Sequence, residues 1–297
     1  MVNIDKQNLE GDAREFVTIP ESIIVNTQMD SKRVAAYIFF WVWSGKNHKL
    51  MHSIESIVSW CGFIPNYHKG KIDDVFLELV NQFQEIGYIS CLEDLSSLSN
   101  PYTTMITTQF CVDWYSSIRN TERFARIYLD EINKIMNYDC GKNSKSLNNS
   151  NILLVFAYLR LKIIVRNTTE SFEDDESRKR SPEVYYRYYK DISNELGISE
   201  RTLSAIFQIL SKDLGLIYME HTRKSFTDVD GNSKWITFPT LFCNTYKRLG
   251  DILVYTGSNY YLKETSNMIS TMNFDGIKKK KASAEENESN MQWIDLI

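Results

Sequence analysis

The sequence lacks the motifs by which many enzymes are recognised. Its glycines stand singly, so no glycine-rich phosphate loop is present, and neither a G-x-S-x-G nor an H-E-x-x-H motif occurs. With 4 histidines it also lacks the histidine-rich cluster of a hydrolase or nickase. These absences favour a protein that is not an enzyme and that carries no cofactor.

Cysteine and histidine are too sparse and too scattered to predict a metal site. The 5 cysteines are odd in number and contain no C-x-x-C pair, which is typical of reduced thiols in a cytosolic protein. His48 and His52 have helical spacing, but no matching pair of ligands completes a zinc site. We therefore expect no metal and a cytoplasmic location.

Long apolar runs and a basic charge balance are also missing. The most apolar run, Val34 to Trp43, is far shorter than the roughly 20 residues that span a bilayer, and the polar N-terminus does not resemble a signal peptide. We expect a soluble protein without membrane contact. The formal net charge of -4 argues against coating nucleic acid by bulk electrostatics, so any DNA contact must be local.

The stretch from Tyr188 to Glu220 predicts a helix-turn-helix that leads into a β-hairpin. Gly197 breaks the first helix, and Ser199 is a favourable N-cap for the second. Apolar residues of the second helix repeat near a period of 3.6 at Leu203, Ile206, Phe207, Leu210 and Leu214. This pattern indicates one buried face and one outward face.

The outward face of the second helix carries side chains that suit a DNA groove. An Arg and a Gln among small residues can reach base edges in a major groove about 12 Å wide. The candidate DNA contacts are Arg201, Thr202, Ser204, Gln208 and Lys212. A solvated outer face on a structural helix is the alternative, and the sequence leaves both open.

The predicted hairpin after Gly215 supplies further cations. Asp230-Gly231 is a strong turn signal between the strands LIYME and KWITFP. Arg223, Lys224 and Lys234 are the candidate phosphate contacts on this hairpin, called the wing below. Asp228 and Asp230 lie beside them, so a plain solvated hairpin remains an equal alternative.

The same pattern occurs earlier in the chain. Helices at Ile54 to Cys61 and at Ile72 to Phe83 precede a second predicted hairpin, whose tip carries Glu93 and Asp94. We expect this first domain to contact proteins and the second domain to contact DNA. The start of its second helix offers plausible phosphate contacts or plain surface at Asn66, Tyr67, His68, Lys69 and Lys71.

Composition predicts five segments. A flexible arm (1–15) precedes the first domain (16–112), a helical connector with a polar linker (113–150), the second domain (151–257) and a largely disordered tail (258–297). Phe124, Ile127, Tyr128 and Ile132 suggest a helical stripe in the connector, and the run TLFCNTYKRLGDILVY suggests a helix after the wing. The predicted fold class is mainly α with small β-hairpin wings (α+β), as two winged helix-turn-helix domains.

The tail ends in an apolar tip, Met291 to Ile297. This tip loosely resembles the Gln-started peptides, ending in Leu and a large apolar residue, that bind the bacterial sliding clamp. The candidate partner-binding residues are Gln292, Trp293, Ile294, Asp295, Leu296 and Ile297. Folding of the tip onto the body of the protein is an equal alternative.

The whole organisation resembles the winged-helix replication proteins of Gram-positive bacteria, their phages and plasmids. These include the N-terminal part of DnaD-type primosome proteins and tandem winged-helix initiators. The resemblance covers roughly Phe16 to Tyr255 and rests on pattern and organisation, and a DnaD-type C-terminal domain is missing. It implies binding of origin DNA and recruitment of other replication proteins.

Three functions remain open from the sequence. The first is sequence-specific binding of double-stranded DNA in replication initiation of a phage, plasmid or other mobile element. The second is a winged-helix transcriptional regulator, and the third is a protein interaction module that does not bind DNA. A homodimer is possible and would imply paired half-sites spaced by whole helical turns.

Overall fold

A computed structural model describes residues 15–25, 31–44, 48–68, 70–119, 121–141, 147–163, 184–227 and 231–244. In the last two ranges, residues 184, 222–227, 233–238 and 244 are described by their backbone alone. The helices are α1 Glu21–Ile24, α2 Ser31–Ser44, α3 Ile54–Trp60, α4 Ile72–Glu85, α5 Val112–Arg119, α6 Leu129–Met136, α7 Asn149–Ile163, α8 Tyr189–Leu196 and α9 Glu200–Gln208. The strands are β1 Phe16–Pro20, β2 Lys49–His52, β3 Ile89–Cys91, β4 Ile106–Phe110, β5 Phe124–Tyr128, β6 Val184–Arg187, β7 Ile217–Thr227 and β8 Ser233–Asn244.

The fold is a mixture of helices and small antiparallel sheets, which confirms the α+β class. One sheet is two-stranded (β1-β5), and two are three-stranded, in the orders β2-β4-β3 and β6-β8-β7. Strands β2 and β6 were not expected from the sequence. They add a third strand to each predicted hairpin, so the chain contains more sheet than a mainly helical fold.

Within the residues that the structure describes, two units of the chain have the same order of α-helices and strands. The first unit runs α2, β2, α3, α4, β3, β4, and the second runs α7, β6, α8, α9, β7, β8. In each unit the last strand lies between the other two. The internal repeat predicted from the sequence pattern is thus present in the order of elements and in the sheet order.

The predicted helical connector is wrong in its middle part. Phe124–Tyr128 is strand β5, which pairs with β1 along its whole length. Phe124, Ile127 and Tyr128 have a helical spacing, but Ala125 and Ile127 are buried while Arg126 is exposed, which is the alternation of a strand. This segment is a strand because it pairs with β1, about a hundred residues away. No local pattern reveals that pairing.

The helix predicted after the wing is also wrong at its start. Residues up to Asn244 continue strand β8, which pairs with β6 and β7 on its two sides. Leu241 and Phe242 are fully buried in consecutive positions, as expected for a central strand covered on both faces. The remainder of that predicted helix, the arm before Glu15 and the tail lie outside the described residues.

Helix α7 is the centre of the molecule. All of its residues from Ile152 to Leu161 are buried, and it packs against α2, β5 and α6 as well as against β6, β8 and α9. The main hydrophobic core is therefore one continuous cluster that extends from Val17 to Phe242. This explains why the α7 sequence is apolar on all sides instead of amphipathic.

A buried ion pair joins α7 to α6. The guanidinium of Arg160 is fully buried and pairs with Glu131, whose side chain is 6% exposed. The Arg160 guanidinium also lies 5.1 Å from the ring centre of Phe156, and Glu131 accepts a hydrogen bond from the backbone N–H of Tyr128 at 3.0 Å. The pair is desolvated, and each charge depends on the other.

His52 is a core residue of the first unit. Its ring packs edge-on against Phe39 and Phe40, with centroid distances of 5.8 and 5.2 Å, and its Nε2 lies 3.2 Å from the hydroxyl of Thr108. Burial disfavours the charged imidazolium and lowers the pKa of His52 from 6.5 to about 4.

This lowered pKa predicts acid sensitivity of the fold. Below pH 6.5 His52 becomes protonated in the unfolded chain but stays neutral in the folded chain. The stability that the neutral ring contributes is therefore fully present above pH 6.5 and is lost as the pH falls towards 4. We expect about 2 kcal/mol of stability to be lost at pH 5 through this group. Urea unfolding at pH 7 and pH 5 checks it: His52→Gln must show a smaller pH dependence than the wild type, and an equal dependence contradicts the assignment.

Among the residues the structure describes, no helix combines the length and the apolar character that crossing a bilayer requires.

Candidate nucleic-acid interface

The turn between α8 and α9 has the geometry that its sequence predicts. Gly197 ends α8 with φ 65°, a left-handed conformation that glycine adopts without strain. Ile198 is buried under the turn, and the Ser199 hydroxyl accepts a hydrogen bond from the backbone N–H of Thr202 at 3.2 Å. The angle between the two helices is thus fixed by a glycine, an apolar plug and an N-cap.

The buried face of α9 is the predicted one. Leu203, Ile206 and Phe207 are fully buried, while Arg201 and Lys212 are exposed. The rings of Phe207 and Phe242 meet at a centroid distance of 4.7 Å, so α9 packs on strand β8. The helix therefore presents a polar side outward from the sheet.

The candidate contacts on α9 are not equally accessible. Ser204 is half-buried, and Thr202 is half-buried with its hydroxyl 2.9 Å from the Ser199 hydroxyl, which engages it in the cap. Gln208 is also half-buried, and its Oε1 is buried with no hydrogen-bond partner among the described residues. In this conformation only part of the Gln208 amide faces outward, whereas reading an adenine edge uses both its donor and its acceptor.

The end of α9 differs from a regular helix. Residues Ile209–Asp213 form a π-helical turn, closed by a hydrogen bond from the Leu214 N–H to the Ile209 carbonyl at 2.9 Å. The wider turn carries one residue more than a regular turn and brings Ile209 to the buried side together with Leu210. The apolar period of the sequence predicted the burial of Leu210 but not the change of helix type.

The wing is the strand pair β7 and β8. Its backbone register runs from Ile217 opposite Asn244 to Thr227 opposite Ser233, with an irregularity between His221 and Arg223. Arg223 and Lys224 pair with Thr237 and Ile236, and Lys234 pairs with Phe226. The structure thus places the backbone of all three predicted phosphate contacts in the half of the strand pair nearest the tip.

Acidic residues occupy the start of α4, the helix of the first unit that corresponds to α9. Asp73 accepts a hydrogen bond from the backbone N–H of Asn66, and Asp74 accepts one from Gly70 at 2.9 Å. The hydroxyl of Tyr67 donates to Glu55 at 2.8 Å, which raises the pKa of Tyr67. Asp73 and Asp74 thus bind the loop that precedes α4, and their negative charges in the first turn of the helix would repel a phosphate there.

The remaining candidate phosphate contacts of the first unit also lie beside acidic residues. His68 and Lys71 are exposed, and Lys69 lies outside the described residues. Helix α4 contains Asp73, Asp74, Glu78 and Glu85 and no Lys or Arg. In the hairpin of β3 and β4, Glu93 accepts a hydrogen bond from the Thr107 N–H at 2.6 Å. Helix α4 therefore carries no cation of its own, whereas Arg201 and Lys212 are exposed on α9 and the π turn that follows it.

Two exposed residues of the second unit are absent from the contacts predicted by the sequence. Tyr188, at 46% exposure, precedes α8 directly, and Lys190 is exposed in its first turn. Both belong to the tyrosine-rich run that begins with strand β6. Their position at the start of the first helix of the pair is the signal that could have singled them out.

Comparison with known proteins adds no relative. No protein-family model matches the sequence, and searches of curated proteins and of solved structures find no match. The predicted partner-binding tip, residues 292–297, lies outside the described residues.

Proposed function

We propose that this chain is a DNA-binding protein built from two winged-helix units, the second of which reads double-stranded DNA. The observation that carries this proposal is the helix pair α8 and α9, joined through Gly197 and Ser199 and followed by a long strand pair. The buried side of α9 fixes it to the sheet, and Arg201 and Lys212 remain on its exposed side. A helix held in this way fits into a major groove.

The order of elements supports the winged-helix assignment. Each unit has a helix, a strand, two helices and two strands, with the last strand in the middle of the sheet. The second unit's strands β7 and β8 are much longer than β3 and β4 of the first, and they carry the three wing cations. DNA binding is therefore assigned to the second unit.

The proposed biological role is replication initiation of a phage, plasmid or other mobile element. It rests on the resemblance to tandem winged-helix initiators and on the apolar tail tip, whose expected partner is a sliding clamp or another replication protein. A transcriptional regulator would hold DNA with the same chemistry. Direct binding of the tail tip to a clamp or helicase favours replication, and an effector-dependent operator beside its own gene favours regulation.

The wing cations give the proposal a first test. Changing Arg223, Lys224 and Lys234 together to Ala is expected to weaken binding to every duplex alike, because phosphate contacts carry no sequence information. The slope of log K against log salt should become shallower by about 0.9 for each phosphate that is no longer neutralised. Fluorescence anisotropy with two unrelated duplexes across a salt series measures both. An unchanged slope would remove the wing from the interface.

A protein interaction module is the second candidate, and one observation favours it. Among the described side chains, every exposed large hydrophobic residue except Tyr188 lies in the first unit. Three of them, Met51, Leu92 and Met105, are more than half exposed on or beside the sheet β2-β4-β3. If the protein shows no salt-sensitive binding to any duplex, this candidate replaces the first.

A further inference from the structure

Both helices of the pair α8 and α9 are held from outside the second unit's sheet. The hydroxyl of Tyr138, just after α6, donates to Asp213 at the end of the π turn, at 2.6 Å. At the end of α8, Glu195 accepts a hydrogen bond from the Tyr158 hydroxyl at 2.8 Å and lies 3.8 Å from Lys162. Tyr158 and Lys162 belong to the central helix α7.

The contact at Glu195 continues to Glu21, the first residue of α1, and to Arg123, which directly precedes β5. The Lys162 ammonium also lies 4.0 Å from Glu21, which in turn receives two hydrogen bonds from Arg123 at 2.6 and 2.9 Å. A line of charged groups thus connects the residues next to the end of β1 and the start of β5 to the last turn of α8. Tyr138 forms a second connection, from the segment after α6 to the end of the π turn that follows α9.

These two connections bear on the orientation of the whole helix pair. Asp213 lies at the far end of α9 from the Gly197 turn, and Glu195 lies in the last turn of α8, just before that glycine. The pair is therefore fixed by its own cap at the turn and by neighbouring elements at two further points. A recognition element must be held within about 0.5 Å and 10–20° of its productive position. Small displacements at these points would rotate α9 relative to a bound groove.

We propose that Tyr138 and Lys162 are positioning residues that set the orientation of α9 for DNA. The inference rests on the proposed DNA-binding function and goes beyond it, because neither residue belongs to the second unit's outward face. Neither is expected to contact DNA. Replacing either residue should therefore lower the affinity for DNA without changing which base sequence is preferred.

The test uses the full chain with Tyr138→Phe, which removes the hydroxyl and keeps the ring. We expect affinity for the DNA upstream of its own gene to fall about five- to tenfold. The salt slope and the preference over a scrambled duplex should stay as in the wild type. Lys162→Met is expected to act in the same direction with a smaller effect, because Glu195 keeps its hydrogen bond from Tyr158. The matched control is Tyr102→Phe, which removes a similar hydrogen bond to Asp74, of 3.3 Å, in the first unit.

A measurement without DNA separates this inference from the proposed function. The amides of Leu214 and Leu216 donate to Ile209 and Leu210 across the π turn, so their hydrogen exchange reports on the end of α9. Exchange there should be faster in Tyr138→Phe than in Tyr102→Phe, and Asp213→Asn added to Tyr138→Phe should change it little further. Equal exchange in the two single variants overturns the inference, as does a changed salt slope, which would indicate a direct phosphate contact. If the wild type binds no duplex, the proposed function fails, while the exchange data still test the contact.

Discussion

Replacing Arg160 by Met is expected to lower the free energy of unfolding by about 3–5 kcal/mol. The variant leaves the Glu131 carboxylate buried beside an apolar side chain, without the cation that compensates for its desolvation. Because α7 contributes to both units, the loss should be felt in the whole molecule. Urea unfolding followed by circular dichroism measures it.

The matched control removes both charges. In Arg160→Met/Glu131→Gln the amide oxygen can still accept the hydrogen bond of the Tyr128 N–H, and no charge of this pair remains buried. We expect this double variant to recover most of the stability that the single variant loses. A single variant that loses less than about 1 kcal/mol, or a double variant that is less stable than the single one, contradicts a buried pair of this kind.

The double variant Arg201→Ala/Gln208→Ala is expected to lose the preference for the protein's own upstream DNA over a scrambled duplex. Each base contact removed should cost about 1–3 kcal/mol on the specific duplex and little on the scrambled one. The buried Oε1 of Gln208 adds a condition, since the side chain must turn outward to use its full amide. Competition binding with the two duplexes at one salt concentration measures the difference.

A variant of the first unit is the control for this experiment. Lys71→Ala removes a cation that directly precedes α4. The carboxylates of Asp73 and Asp74 lie in the first turn of the same helix. We expect it to leave the preference unchanged. If Lys71→Ala reduces the preference as much as the change on α9, the assignment of base reading to the second unit is wrong.

Local patterns predicted the parts of the fold that local chemistry determines. Gly197 and Ser199 marked the turn correctly because a left-handed glycine and a serine cap act within a few residues. The burial of Leu203 and Phe207 followed from the helical period.

The parts that the sequence did not reveal depend on distant partners. Strand β5 exists because β1 pairs with it, and its helical spacing of apolar residues gave the wrong prediction. Strand β6 extends the sheet of the wing in the same way. The packing of α7 against α2, β5 and α6, outside its own unit, also has no local signature, apart from the lack of a polar face on α7.

The candidate site shows the same division. The exposure of Arg201 and Lys212 was predictable from the helical period, whereas the half-buried state of Gln208 depends on packing around it. The acids around the start of α4 were visible in the sequence, but their hydrogen bonds to the loop of Asn66 and Gly70 required the structure. The Tyr138 contact with Asp213 joins residues far apart in the chain, so no motif could have shown it.

The central claim, that the second unit reads double-stranded DNA, is tested most directly by one binding series. The purified full chain is titrated against the DNA upstream of its own gene and against a scrambled duplex across a range of salt concentrations. The account predicts tighter binding to its own DNA and a decrease of log K with log salt for both duplexes. No binding to either duplex at low salt would contradict it, and the exposed apolar residues of the first unit would then indicate a protein partner.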